Sequence, residues 1–161
     1  MTVWPGARTA TFVKQPPAIQ INPNGVDIGV SEVWKIEDHT RSILHGKIRE
    51  TEPPKVLVKP EGEFYVLHKG VYEVRLSNEI TVPQNAMGLI LPRSTLNRLG
   101  VINTPSAVCD SGYTGFATKT IFVPIHSIRV HVSEKWFQLV YADAEASGSY
   151  DGHWQGERPK G

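Results

Sequence analysis

The chain lacks the raw material for several familiar kinds of protein. A single cysteine, Cys109, among 161 residues excludes an intrachain disulfide and a thiolate zinc cage. No apolar run reaches the length of a signal-peptide core or a membrane span, so a cytoplasmic protein without membrane contact is expected. Neither sign of charge dominates: 17 Lys and Arg stand against 16 Asp and Glu, a formal net charge of +1. That balance offers no broad electrostatic footprint for nucleic acid. Any anionic ligand must therefore be caught by local geometry. There is no amphipathic stretch of ordinary helix length, no internal repeat, no Walker loop, no dinucleotide glycine fingerprint and no nucleophile elbow. The six histidines fall in no metal-ligand spacing.

What is present is the punctuation of a β protein. Hydrophobic residues make up 40% of the chain, enough for one core, and 12 prolines and 14 glycines are spread along it. Between these breaks lie short runs of strand-forming residues: 9–13, 18–21, 26–30, 33–36, 42–48, 56–58, 64–67, 71–76, 80–82, 89–91, 116–123, 128–132 and 136–141. Pro124 reads as the end of the 116–123 strand. Such close spacing predicts a sandwich or barrel. Residues 147–161 carry no core-forming periodicity and read as a mobile C-terminal tail to a single domain over 1–146.

Two stretches carry chemistry. In Pro92-Arg93-Ser94-Thr95-Leu96-Asn97-Arg98-Leu99-Gly100, a proline stops a strand, hydroxyl residues suited to capping follow, and a glycine ends a short helix. Arg93, the hydroxyls and the first-turn N–H groups would make an anion cradle; the plainer reading is a capped helix with surface arginines. Asp110-Ser111-Gly112-Tyr113-Thr114-Gly115 sets a carboxylate and an aromatic at a hairpin mouth, though Asp-Ser-Gly alone is an ordinary turn. Asp27, in the alternating run 26–30, reads as a structural strand-edge carboxylate. Gln138, inside the apolar run 136–141, needs a partner because a buried unpaired amide costs about 1–3 kcal/mol. Cys109 reads as an inert thiol.

Taken in order, Gly25-Val26-Asp27-Ile28, Pro92-Arg93-Ser94-Thr95-Leu96, Asp110-Ser111-Gly112-Tyr113-Thr114-Gly115, Gln138-Leu139 and Tyr150-Asp151-Gly152-His153-Trp154-Gln155-Gly156 resemble the dUTPase and dCTP deaminase superfamily, and most of all its archaeal-type dUTPases. The resemblance implies an all-β fold, a distorted β-barrel of the β-clip type with one short helix after Arg93-Ser94-Thr95. It also implies a homotrimer with active sites at subunit interfaces and Mg2+ as cofactor. By position, Asp110 would be the general base and Tyr113 would lie under the deoxyribose. Backbone around Ala107 would read the pyrimidine edge, and Arg93, Ser94 and Thr95 would hold phosphates together with Arg98 of a neighbouring subunit. Gln138 would support the phosphate chain, Asp27 the magnesium-bound waters, and Gln155 would close over the nucleotide.

The implied reaction is hydrolysis of dUTP to dUMP and pyrophosphate. Deaminases of the superfamily place a glutamate ten residues after the motif's aspartate. Here that place is Thr120, which cannot do acid–base work near neutral pH. A dCTP deaminase, a bifunctional enzyme, and a non-catalytic nucleotide-binding module on the same fold are the alternatives.

Overall fold

The computed structural model describes residues 1–39, 42–44, 53–104 and 108–160. In chain order the elements are α1 (Gly6–Ala10), β1 (Gln20–Asn22), β2 (Gly25–Ile36), β3 (Lys55–Leu57), β4 (Phe64–Leu76), β5 (Ile80–Thr81) and β6 (Ala86–Pro92). They continue with α2 (Ser94–Arg98), β7 (Ile102–Asn103), β8 (Thr114–Gly115), β9 (Thr118–His131) and β10 (Lys135–Asp143). The main sheet runs β6-β10-β2-β4-β9-β7, with β1 and β3 attached to β2, and β5 pairs with β8 in a small second sheet. All pairings are antiparallel. The sheet curls into a nearly closed barrel, filled by Ile28, Leu67, Tyr72, Trp136, Phe137 and Tyr141, each almost wholly buried. The fold is all-β, as the strand spacing and the resemblance imply.

The long strands arise by fusing pieces that the sequence shows as separate. Runs 26–30 and 33–36 are one strand, β2, whose register against β4 shifts between Val30 and Glu32. Runs 64–67 and 71–76 are one strand, β4, with a shift against β9 between His68 and Gly70. A bulge adds an unpaired residue without ending the strand, so turn-like residues there do not mark a boundary. Pro124 therefore does not end its strand: β9 runs through it, at a stretch left out of the ladder between Val123 and Ser127, where no backbone donor is needed. Of the candidate strand 42–48, residues 42–44 are in no strand and the rest lie outside the described residues.

There is a second helix that sequence reasoning takes for a strand. Gly6–Ala10 forms α1 after Pro5, and only Val13 of the run 9–13 makes a β-bridge, to Ile80. The turn packs so closely that a Cβ on Gly6 would fall 1.9 Å from the Asn22 carbonyl oxygen. Among the described residues no helix is long and apolar enough to cross a membrane.

One flank is apolar on its outside. Ile102 of β7 pairs with Phe122 of β9, and both are exposed, as are Leu99 and Ile125 nearby in sequence.

Candidate active site

Strand β6 carries chemistry at both ends. At its C-terminal end Pro92 pairs with Phe137, and the Arg93 N–H donates to the Trp136 carbonyl at 3.0 Å. This anchors the start of α2. Arg93 is then strapped sideways: its Nε lies 2.8 Å from Asp27 Oδ2, and its Nη1 donates to the Lys135 carbonyl at 2.8 Å, with Glu134 at 3.5 Å. Asp27 is buried in central strand β2, with Gln20 of β1 on one side and Gln138 of β10 on the other. It is thus not a strand-edge carboxylate, and the guanidinium supplies the charge partner its burial demands. Gln138 is only half-buried and donates from Nε2 to the Asn24 carbonyl at 2.9 Å.

Arg93 itself holds the N-cap position of α2, in extended conformation and without a side-chain cap bond. Ser94 and Thr95 are therefore the first helical residues rather than caps, and both are exposed. Arg98 is exposed in the last turn of the same helix.

At the other end of β6, Gly88 and Cys109 exchange two backbone hydrogen bonds of 2.9 Å, and Ser111 Oγ donates to the Ala86 carbonyl at 2.6 Å. The Asp110 turn is thereby fixed to β6 on both sides. Its carbonyl accepts from the Tyr113 N–H at 3.1 Å, and Gly112 takes φ +85°, a conformation glycine adopts without strain. Asp110 faces two adjoining cavities. One, of about 320 Å³, is walled by Ile90, Tyr113, Thr118, Tyr150, Trp154 and Glu157 among others. The second, of about 430 Å³, lies towards Met87, Ser111 and residues 144–150. Tyr113 is buried and meets Tyr150 edge-on at 5.6 Å, and burial pushes its phenol well above the usual range. Burial likewise raises the Cys109 thiol to about 11, in keeping with an inert cysteine.

The structure thus gathers Asp27, Arg93 and Gln138 at one end of β6 and Asp110 and Tyr113 at the other. From Gly88 to Pro92 is four residues, about 13 Å of strand. None of Asp27, Arg93, Ser94, Thr95, Arg98 and Gln138 lines either cavity at Asp110. Ala107 lies outside the described residues.

The C-terminal segment, which has no strand or helix, runs along the Asp110 hairpin. Tyr150 N–H donates to the Ser111 carbonyl at 2.7 Å, Gly156 N–H to the Thr114 carbonyl at 2.8 Å, and Phe116 N–H to the Glu157 carbonyl at 2.9 Å. The Gln155 side chain is spent on the hairpin backbone, donating to the Gly112 carbonyl and accepting from the Thr114 N–H, both at 2.8 Å. The residues of this segment that wall the cavity are Tyr150, Trp154 and Glu157; the first two stand in the resembling stretch without an assigned role, and Glu157 lies just beyond it.

Lys119 is the other surprise. It lies on the core face of β9 in step with Ile121 and Val123, and a strict reading of that alternation would have found it. Its Nζ donates to the Thr104 carbonyl at 2.9 Å and the Ile90 carbonyl at 3.2 Å, stitching β9 to β6 across the barrel's open seam. Burial brings its ammonium down to about 8, the neighbouring Cys109 opposing the change. The unfolded chain holds that proton up to about 10.5, so between these values it binds a proton the folded chain has lost. Raising the pH through this window therefore favours the fold. Denaturant midpoints at pH 7.5 and 9.5 should show the wild type gaining on Lys119→Met. The difference between the two proteins isolates the lysine from the thiol and phenols, which act oppositely at high pH.

A family model described as dCTP deaminase-like matches residues 7–144. A probable deoxyuridine 5'-triphosphate nucleotidohydrolase of Halobacterium salinarum is 33% identical over 156 residues, 95% of this chain and 93% of its own. The deoxyuridine 5'-triphosphate nucleotidohydrolase of Methanocaldococcus jannaschii is 28% identical over 154 residues, 94% of this chain and 97% of its own. The crystal structure of a 2'-deoxycytidine 5'-triphosphate deaminase from Agrobacterium tumefaciens superposes with a TM-score of 0.66 at 16% identity, over 87% of this chain and 46% of that one, a likeness of fold alone. With the Arg93 and Asp110 motifs in their expected order on a matching barrel, the chain belongs to the dCTP deaminase-like family.

Proposed function

We propose that the protein hydrolyses dUTP to dUMP and pyrophosphate, in sites shared between copies of the chain in a homotrimer. The observation that carries this reading is Asp110, pinned to β6 at the mouth of a cavity floored by Tyr113. Asp110 orients a water and takes its proton as the oxygen adds to phosphorus and the bond to the leaving pyrophosphate breaks. Tyr113 packs under the deoxyribose and excludes a 2'-hydroxyl. Arg93, Ser94 and Thr95 of an adjoining copy hold the phosphates, joined by Arg98, with Gln138 behind them. The roughly 13 Å between the two ends of β6 supports a shared site. In the same reading residues 1–146 form the catalytic domain, and the segment from 147, including Gln155, closes it.

Among the described residues no three His, Cys, Asp or Glu side chains cluster to make a resident metal cage. One buried carboxylate, Asp27, lies beside the phosphate-binding arginine. That donor set would suit Mg2+ brought by the triphosphate, which Asp27 would hold through a bound water. When bound, the ion would neutralise phosphate charge.

Deamination is disfavoured because β9 presents Thr118 to the cavity and Thr120 beyond it, neither able to move a proton near pH 7. The deciding experiment incubates the protein and Mg2+ with dUTP and each dNTP and analyses the products. Pyrophosphate and dUMP from dUTP are expected. Ammonia from dCTP would establish the deaminase instead, and binding without turnover a non-catalytic module.

A further inference from the structure

Arg75 shares one face of the run 71–76 with Val71 and Glu73, yet it is 2% exposed. It sits between two carboxylates on separate parts of the chain. Its Nε lies 3.1 Å from Glu32 Oε2 of β2, and its Nη1 lies 2.8 Å from Glu157 Oε1 of the C-terminal segment and 3.0 Å from the Phe116 carbonyl. Glu32 also reaches the segment further on, accepting from the Lys160 N–H at 2.9 Å. The barrel thus offers one buried cation to the end of the chain.

A second, independent feature marks the same path. A Cβ on Gly112 would fall 2.0 Å from Ser149 Oγ, and one on Gly115 would fall 2.9 Å from Tyr113 Oη, 3.0 Å from the Glu157 nitrogen and 3.2 Å from its oxygen. Both glycines of the Asp110 hairpin are therefore places where the segment comes against the turn. Between those two points lie Tyr150 and Trp154, which wall the cavity with Asp110.

We infer that the Arg75–Glu157 pair is a positioning device that holds residues 149–157 against their own hairpin, so that Tyr150 and Trp154 form the aromatic wall of the Asp110 cavity and set its affinity for the nucleotide. This rests on the hydrolase reading for the identity of the ligand, but not for the docking itself. Neither residue touches the reacting atoms. Their effect falls on binding, because a loosened wall weakens the hold on substrate and leaves Asp110 fixed by β6. The polar contact matters more than the charge, since the cost of burying a carboxylate offsets much of its attraction to the guanidinium. Glutamine at 157 keeps an oxygen for Arg75, whereas lysine there sets two cations face to face.

The test compares wild type, Glu157→Gln, Glu157→Lys and Glu157→Ala. Hydrogen exchange is followed at the Phe116 and Gly156 amides without nucleotide, and KM and kcat are measured for dUTP with Mg2+. In Glu157→Lys, exchange at those two amides should quicken by about tenfold or more while the β4–β9 amides stay protected, and KM should rise by about tenfold with a much smaller change in kcat. Glu157→Gln should match the wild type in exchange at both amides. Glu157→Ala, which removes the contact without adding a cation, should quicken exchange and raise KM in the same direction and carries the test if the lysine variant does not fold. Unchanged exchange in Glu157→Lys overturns the anchor, whatever the substrate. Faster exchange with an unchanged KM overturns its part in affinity. A wild type without turnover overturns the hydrolase reading, and the exchange measurement still decides the anchor.

Discussion

Asp110→Asn should lower kcat for dUTP hydrolysis by about a thousandfold, with KM within a few-fold of wild type. The turn that holds residue 110 is built from backbone bonds, the Gly88–Cys109 pair and the Tyr113 N–H to the Asp110 carbonyl, so asparagine leaves it in place. The Ser111 hydroxyl still reaches the Ala86 carbonyl. What the substitution removes is the one function an amide lacks, accepting a proton from water as the new bond to phosphorus forms. General-base catalysis is worth about 10²- to 10⁴-fold, and a loss confined to kcat marks an interaction made in the transition state. Steady-state kinetics with a pyrophosphate-coupled assay would read it, and nucleotide titration would confirm that binding survives. Turnover close to wild type would remove Asp110 from the reaction.

Mixing two inactive variants should restore activity. Arg93→Ala loses the phosphate grip and leaves Asp27 buried without its 2.8 Å partner, so it should be nearly inactive by itself and less stable by about 3 kcal/mol. Asp110→Asn keeps the arginine but not the base. If each site takes Asp110 from one copy and Arg93 from the next, trimers assembled at random from equal amounts have both groups intact at about one interface in four. Dissociating, mixing and reassembling the variants should thus recover about a quarter of wild-type turnover, and simple addition of pre-formed assemblies should recover none. A site drawn wholly from one chain would give no recovery under either protocol.

The strands and the two motifs were readable because their signals are local. Alternation in 71–76, prolines after strands and the Asp-Ser-Gly turn each act over a few residues. Boundaries failed where a bulge let one strand pass through residues that usually interrupt it, as at Pro124. The first helix failed because Thr9, Phe12 and Val13 favour strands, while Pro5 and the tight fit of Gly6 against Asn22 decide otherwise. Arg75 and Glu157 are 82 residues apart, counted from their numbers, and nothing near either one announces the other. Their pairing appears only when the end of the chain is laid on the hairpin. The opposite happened with Lys119: its place in the alternation was visible, but a charged residue at a core position needed Thr104 and Ile90 carbonyls that only the closed sheet supplies.

The flank at β7 bears on how copies of the chain meet. Among the described residues, β9 beyond the two positions paired to β7 is flanked by β4 alone, and Pro124 breaks its row of donors on the other side. A foreign strand would find too few consecutive N–H and C=O groups there to extend the sheet. Any association of copies through Phe122, Ile102 and their apolar neighbours would therefore run through side chains and leave the sheet at the width one chain gives it.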